Sequence, residues 1–460
     1  MEHFKKSVIL ILLLSLLVSV FSGCAGNTAQ PAEATEAVQT VETAAPTDAA
    51  PLEIVDYAAS VKLDMSSETA KQEVTVKMFV DGDTTHFHVP TSIFSTGVLK
   101  GRYAAINTPE STGKIEEYGK KASAFTKEKL SAATSIIVES ETTEWNPDST
   151  GSRFLVWVWY KTADSDDYRN LNIEILQNGL AIANSSATSR YGSAAVAAIN
   201  QAKAQKLNIY SGEKDPDFYY GEAIELTLKE LRTNIDAYSG MKVAFSGVIT
   251  KNNANTVYIE DYDSETDMYY GMAVYYGYNL NGTGLEILSV GNEARIVGTV
   301  QYYEAGGTYQ VSDLNYRLMK PDDPGNIQLI SEGNEPAYVV TDPATFANGT
   351  VTVELEEETI TELYAALAMN TSVELQNLYV ADAYTTKNED SASKGAMTLY
   401  CNAGGVRISV RTVVLYDESG NLITQDAYVG RTINVKGIVD YFSGNYQIKV
   451  FSANDITIVK

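Results

Sequence analysis

Four short patches of the sequence carry residues able to do phosphate chemistry. The first is Asp81-Gly82-Asp83-Thr84, two carboxylates flanking a glycine that permits a tight backbone. The second joins Arg102 to Asn107-Thr108-Pro109-Glu110, five residues on. The third is Tyr118-Gly119, opening a segment that runs through Phe125-Thr126-Lys127. The fourth is Asp148-Ser149-Thr150-Gly151-Ser152-Arg153, just before the apolar run Phe154–Tyr160. Together they supply oxygen ligands for a hard cation, one carboxylate able to orient or deprotonate water, and two guanidinium groups suited to phosphate oxygens. Hydrolysis of a phosphodiester needs that set, because charge builds on phosphorus-bound oxygens in the transition state. Taken singly, each patch has a plainer reading: a solvated turn at Asp81–Asp83, structural ion pairs for Arg102 and Arg153, and a helix-start charge at Glu110.

The elements that must position these residues follow from hydrophobic period. Alternation predicts strands at Gln72–Phe79 and Leu99–Ile106, and Ser135–Glu139 and Arg153–Tyr160 are further strand-like runs. Helical spacing predicts helices over Glu116–Ala132, Asn170–Gly179 and Tyr191–Lys206, with Tyr118, Ala122, Phe125 and Leu130 near one face of the first. Strands, helix, strands, helix, helix is the order of an α+β domain on a small barrel, here residues 66–212.

The patches and their order resemble the staphylococcal nuclease (thermonuclease) family. The resemblance rests on Asp-Gly-Asp-Thr, on an Arg five residues before Asn-Thr-Pro-Glu, on Tyr-Gly-x-x-Ala-Ser-Ala-Phe-Thr-Lys from Tyr118, and on the later Gly-x-Arg. Gly179-Leu180-Ala181 and the stretch Ala202–Ser211 are similar to that family's final helices. The resemblance implies an OB-type barrel with helices and a Ca²⁺-dependent nuclease acting on DNA or RNA. It places Asp83 as a carboxylate ligand and Thr108 as a carbonyl ligand of the cation. Glu110 falls where the water is positioned or activated, and Arg102 and Arg153 where phosphate is bound. Asn107 stands where the family has a second Asp ligand, which lowers the ligand charge and predicts weaker calcium binding. Asp81 is read as shaping the turn. The family's tyrosine beside the second arginine has no counterpart at Gly151-Ser152, its later tyrosines have none around Asn184–Ser186, and a larger loop, Thr91–Thr96, interrupts the early hairpin.

The N-terminus reads as an export signal: Lys5 and Lys6, the apolar run Ser7–Phe21, then Ser22-Gly23-Cys24. The ending resembles a bacterial lipobox, which implies lipidation of Cys24 and a membrane anchor on the extracellular face. Residues 25–65, rich in Ala, Thr, Glu and Pro, read as a tether. The only other cysteine, Cys401, lies in a strand-like run and reads as inert core.

The net charge of −25 is unevenly spread. Residues 66–212 hold 15 Lys and Arg against 16 Asp and Glu, whereas residues 213–460 hold 16 against 35. Only the first region is suited to a phosphate backbone. The acidic half contains an internal repeat. Thr227–Leu231 resembles Thr359–Leu363, each followed by a helical stretch and a strand, Lys242–Ile249 and then Val373–Ala381. Val290-Gly291, Gly298 and Tyr309-Gln310-Val311 recur as Val429-Gly430, Gly437 and Tyr446-Gln447-Ile448. Two mainly-β, OB-like domains are predicted, over 222–322 and 350–460, of unknown partner. The acidic run Glu260, Asp261, Asp263 and Glu265 reads as a solvated loop. The tyrosine pairs 269–270, 275–276 and 302–303 read as sheet packing. The chain is expected to be a monomer. The alternative function is a nuclease fold weakened into a binding or adhesion lipoprotein.

Overall fold

The computed structural model describes residues 54–459, apart from 278, 279, 281, 305, 356, 357, 389, 390 and 392. The signal segment, Cys24 and the tether up to residue 53 lie outside the described residues.

The first barrel begins with a short helix, α1 (Tyr57–Ser60). It continues through β1 (Lys71–Asp81), β2 (Thr84–His88), β3 (Val98–Tyr103) and β4 (Ile106–Asn107) to helix α2 (Gly119–Ser131). Then come β5 (Ser135–Glu139), β6 (Phe154–Lys161), β7 (Arg169–Asn170), α3 (Leu171–Gln177), β8 (Ile182–Ala183) and α4 (Gly192–Ala204). Strands β1, β2 and β3 form an antiparallel meander; β1 also pairs with β5, and β5 with β6. Parallel pairing of β6 with β3, Gly101 opposite Phe154, closes the ring. Closure leaves no barrel edge exposed. Phe87, Leu99, Tyr103, Trp157 and Trp159 are among its fully buried side chains.

Helix α2 packs through Gly119, Ala122, Thr126 and Leu130, a spacing of three to four residues per turn. Asn170 caps α3 by accepting the Ile173 N–H at 3.1 Å. Residues 54–65, expected to belong to the tether, depart from that reading. Ala58 is fully buried, and the Gln201 amide holds both the N–H and the C=O of Val55, at 2.8 and 2.9 Å. Arg169 pairs with Asp56 at 2.7 Å. Composition hid this because the segment's hydrogen bonds are made by α3, α4 and Arg169, more than 100 residues away.

The second barrel comprises β9 (Ile224–Glu225), α5 (Leu228–Thr233), β10 (Lys242–Asn253), β11 (Thr256–Asp263), β12 (Met268–Tyr275), α6 (Thr283–Ile287), β13 (Glu293–Tyr303), β14 (Thr308–Ser312) and β15 (Gln328–Ser331). The third opens with β16 (Val339–Thr341), α7 (Pro343–Asn348), β17 (Thr350–Glu354), β18 (Thr359–Leu363) and α8 (Tyr364–Leu367). Its ring follows in β19 (Ser372–Thr385), β20 (Met397–Ala403), β21 (Val406–Thr412), β22 (Thr432–Phe442) and β23 (Asn445–Val450), with β24 (Ile456–Ile458) last. Each ring repeats the connectivity of the first: three meander strands, a fifth strand parallel to the third, and the fourth strand closing on the first. The architecture is one OB-type barrel with helices and two further β-barrels.

The repeated glycines do the same work twice. Gly298 lies opposite Val243, and Gly437 opposite Val373. A Cβ at either would come within about 2.5 Å of the neighbouring strand. A helix follows the second matched stretch as expected, α8 and then β19, but the two stretches themselves differ in conformation. Thr227 caps α5 with a full capping box through Glu230, whereas Thr359–Leu363 is a strand paired to β17. β-branched Thr359, Ile360 and Thr361 and an adjacent partner strand outweigh the same capping signature there.

One apolar cluster runs through the second and third barrels, from Leu228 and Tyr270 to Met369 and Val435. The acidic run departs from the solvated-loop reading. Glu260 is buried in β11, where its carboxylate accepts from Ser372 N–H (2.7 Å), Ser372 Oγ (2.8 Å) and Ala337 N–H (2.9 Å). Asp263 pairs with Lys229 at 2.9 Å. Cys401 is buried in β20, and burial pushes its thiol up to about 12, so it stays protonated.

Candidate active site

The Asp81–Thr84 turn joins β1 to β2 beneath α2. Gly82 is required there by space: a Cβ would lie 2.9 Å from both Ala122 and Thr108. Thr126 of α2 donates its hydroxyl to the Gly82 carbonyl at 2.6 Å. The turn is thus clamped between α2 and the Asn107–Thr108 segment. Asp83 is 3% exposed and Asp81 8%.

Asp83 is the hub. Its Oδ2 accepts the Thr108 N–H at 2.8 Å and is paired with Arg102 Nη1; its Oδ1 accepts the Thr84 hydroxyl at 3.1 Å. Arg102 Nη2 donates to Asn107 Oδ1 at 2.5 Å. Strand register brings these residues together, since β2 pairs Thr84 with Arg102 of β3. Asp81 Oδ1 accepts the Asp83 N–H at 3.1 Å.

Glu110 stands at the exposed mouth, on a backbone fixed from two sides. Its C=O accepts the Glu116 N–H at 2.9 Å, and Gly119 approaches so closely that a Cβ would lie 2.1 Å from the Glu110 carbonyl oxygen. Asp215, itself buried, accepts the Tyr118 N–H at the start of α2 at 2.6 Å.

The charges share one field. Burial, then the Asp83 and Glu110 carboxylates, push Asp81 up to about 7. Partial burial, then Asp83, raise Glu110 as well, while Arg102 and Arg153 oppose the rise. Arg153 lies at the edge of the group, paired with Asp148 through Nε and Nη2 at 2.7 Å. Its reach to Glu110 is electrostatic. His86 of β2 is held below its ordinary value by burial first, then by Lys100, Lys77 and Arg153. These three cations make a positive strip beside the site.

The structure therefore brings Asp83, Arg102, Asn107, Thr108 and Glu110 together, with Arg153 flanking. In the sequence Asp81 ranks behind Asp83 and reads as shaping the turn. Its burial beside a second carboxylate makes it a member of the site, and nothing in a two-residue spacing signals that burial. Asp148, Thr126 and Asp215 position the others and carried no role in the sequence reading.

Among the described residues no three His, Cys, Asp or Glu side chains converge as a ready metal cage. The donors here are of mixed kind, carboxylate, amide and backbone oxygens, all suited to a hard cation. Burial beside the Asp83 carboxylate raises the proton affinity of Asp81, and a cation would relieve that crowding of charge. Arg102 occupies Asp83 Oδ2 and Asn107 Oδ1, the same oxygens a cation would use.

Residues 100–212 match the family described as Staphylococcal nuclease homologue. The chain carries a staphylococcal-nuclease-family domain. The match starts inside β3, so Asp81 and Asp83 lie upstream of it, on the hairpin that completes the nuclease barrel. A comparison with curated proteins returns no match. No helix among the described residues is long and apolar enough to cross a membrane.

Proposed function

We propose that the nuclease domain hydrolyses phosphodiester bonds of DNA or RNA with a bound Ca²⁺, outside the cell, with the chain anchored through lipidated Cys24. The observation that carries this reading is the convergence of Asp83, Arg102, Asn107 and Glu110 beside Arg153 and a basic strip. Asp81, Asp83, Asn107 and the Thr108 carbonyl would hold the ion. When bound, it would offset phosphate charge and acidify water.

The protein's own groups supply the rest. Arg102 and Arg153 donate N–H bonds to the non-bridging phosphate oxygens and stabilise charge as the attacking oxygen adds. Glu110, at the mouth and with raised proton affinity, accepts the proton from the attacking water. Oxygen from water bonds to phosphorus as the bond to the leaving ribose oxygen breaks. Lys77 and Lys100 draw the polyanion toward a domain of otherwise near-neutral charge.

Asn107 favours a second reading, a weakened site serving binding or adhesion, because it brings an amide where a carboxylate would add ligand charge and is already engaged by Arg102. Cleavage of a labelled single-stranded oligonucleotide, with calcium titrated from micromolar to millimolar, tests the choice. The nuclease reading expects activity that rises in the roughly 0.1–1 mM range of weak extracellular calcium sites and vanishes in EDTA. Equal cleavage in EDTA contradicts the calcium mechanism. Cleavage that appears only in Asn107→Asp supports the weakened site.

A further inference from the structure

A cleft of about 460 Å³ lies between the nuclease domain and the second barrel. One wall is Phe79, Val80, Ser111 and Thr112; the other is the β13–β14 hairpin with Gln301, Tyr302 and Tyr303. An adjoining recess of about 290 Å³ shares most of these walls and reaches Lys120 and Lys127 of α2. The nuclease wall is continuous with the site, for Phe79-Val80 run directly into Asp81 and Ser111-Thr112 directly follow Glu110.

Two features of the second-barrel wall have no structural explanation. Tyr302 and Tyr303 are 51% and 50% exposed, although Tyr309 braces Tyr302 edge-on at 5.1 Å. Gln301 is only 7% exposed. Its Oε1 accepts the Gly113 N–H at 3.3 Å, while its Nε2 has no partner. A buried donor left unpaired is costly and rare, and it marks where an acceptor belongs.

We propose that this cleft grips bases of single-stranded nucleic acid beyond the two nucleotides that flank the scissile phosphate, the second barrel supplying the aromatic platform. The proposal rests on the nuclease reading of the neighbouring site. Every base has a π-face, so two exposed tyrosine rings hold a strand without regard to sequence. Carbonyl and ring-nitrogen acceptors on a base edge match the free Gln301 amide. Acidity of the second barrel does not oppose this at the cleft, because its local carboxylate, Glu304, is paired with Lys127 of α2. Phosphates outside the cleft would follow Lys77 and Lys100. Duplex DNA, with bases stacked inward, has nothing to offer the rings.

The test uses the full chain with Tyr302→Ala/Tyr303→Ala and the conservative Tyr302→Phe/Tyr303→Phe. Two readouts are needed: the Kd of a fluorescein-labelled single-stranded dT12 in EDTA, and kcat and KM with calcium on dT12 and on a dinucleotide too short to reach the cleft. The proposal expects the alanine pair to weaken dT12 binding about 10- to 100-fold and to raise its KM with kcat kept. It expects the phenylalanine pair to restore both, and dinucleotide cleavage to stay unchanged. Binding of dT12 within twofold of wild type by the alanine pair overturns it, as does equal damage to dinucleotide cleavage. The two readings fail separately. Tyrosine-dependent binding without any hydrolysis would sink the nuclease reading and keep the cleft; hydrolysis with tyrosine-independent binding would do the reverse.

Discussion

Replacing Asp81 with Asn should stabilise the metal-free nuclease domain above neutral pH and leave it little changed in acid. In the unfolded chain the Asp81 carboxyl titrates near its ordinary 3.8; in the folded protein burial and two carboxylate neighbours push it to about 7. The folded state therefore holds a proton that the unfolded chain has already lost. The associated stability is complete below pH 3.8, declines as pH rises between the two values, and is gone above about 7. The rise from 3.8 to about 7, at roughly 1.4 kcal/mol per pH unit, sets a ceiling near 4 kcal/mol. Sharing of charge with Asp83 and Glu110 makes about 2–4 kcal/mol the working range. Asparagine cannot ionise, yet its Oδ1 still accepts the Asp83 N–H. The assay is urea unfolding in EDTA followed by tryptophan fluorescence. All three tryptophans, Trp145, Trp157 and Trp159, lie in the nuclease domain, so the signal reports that domain alone. The stability difference between Asp81→Asn and wild type should grow by about 1.4 kcal/mol per pH unit from pH 5 toward 7, then level off. Glu110 titrates in both proteins, so its contribution largely cancels in the difference. A difference that stays flat from pH 5 to 8 would refute the reasoning.

Two further changes probe the fold. A chain beginning at residue 66 loses α1 and the Gln201 and Arg169 contacts; its tryptophan-detected unfolding should come earlier by about 2 kcal/mol, comparable to two lost hydrogen bonds. Glu260→Ala strands the Ser372 and Ala337 donors between the second and third barrels, which should cost about 3 kcal/mol. It should also open the segment between Ser331 and Val339 to protease, and unchanged cleavage kinetics there would show that Glu260 is not the staple.

Local pattern carried much of the first barrel. The apolar run in Ser135–Glu139 marks β5 as observed, and the expected helix Glu116–Ala132 contains α2, whose start is set by Gly119 rather than by a charged cap. Gly298 and Gly437 stood out at matched spacing because a close strand approach in each barrel demands them. Other features live in tertiary contacts that no window contains. Asp81 is acidic in sequence but protonatable near neutrality only once buried beside Asp83. Glu260 reads as one of four solvated carboxylates until Ser372, 112 residues on, supplies its donors. The tyrosine pairs followed the expectation of sheet packing only in part, since Tyr270 is buried while Tyr302 and Tyr303 are half in solvent. Arg102 and Asn107 were legible as site residues, but their mutual hydrogen bond comes from the turn at Ala104-Ala105, where Ala105 has a φ of +67°.

The most direct measurement is single-turnover cleavage of a short single-stranded oligonucleotide at saturating calcium by wild type, Arg102→Ala and Glu110→Gln. Removing a group that acts on the transition state should slow cleavage by roughly 100- to 1,000-fold in each variant. Tryptophan-monitored unfolding should confirm that the Glu110→Gln domain remains folded. Cleavage by both variants within threefold of wild type would contradict a phosphodiesterase centre built on Arg102 and Glu110.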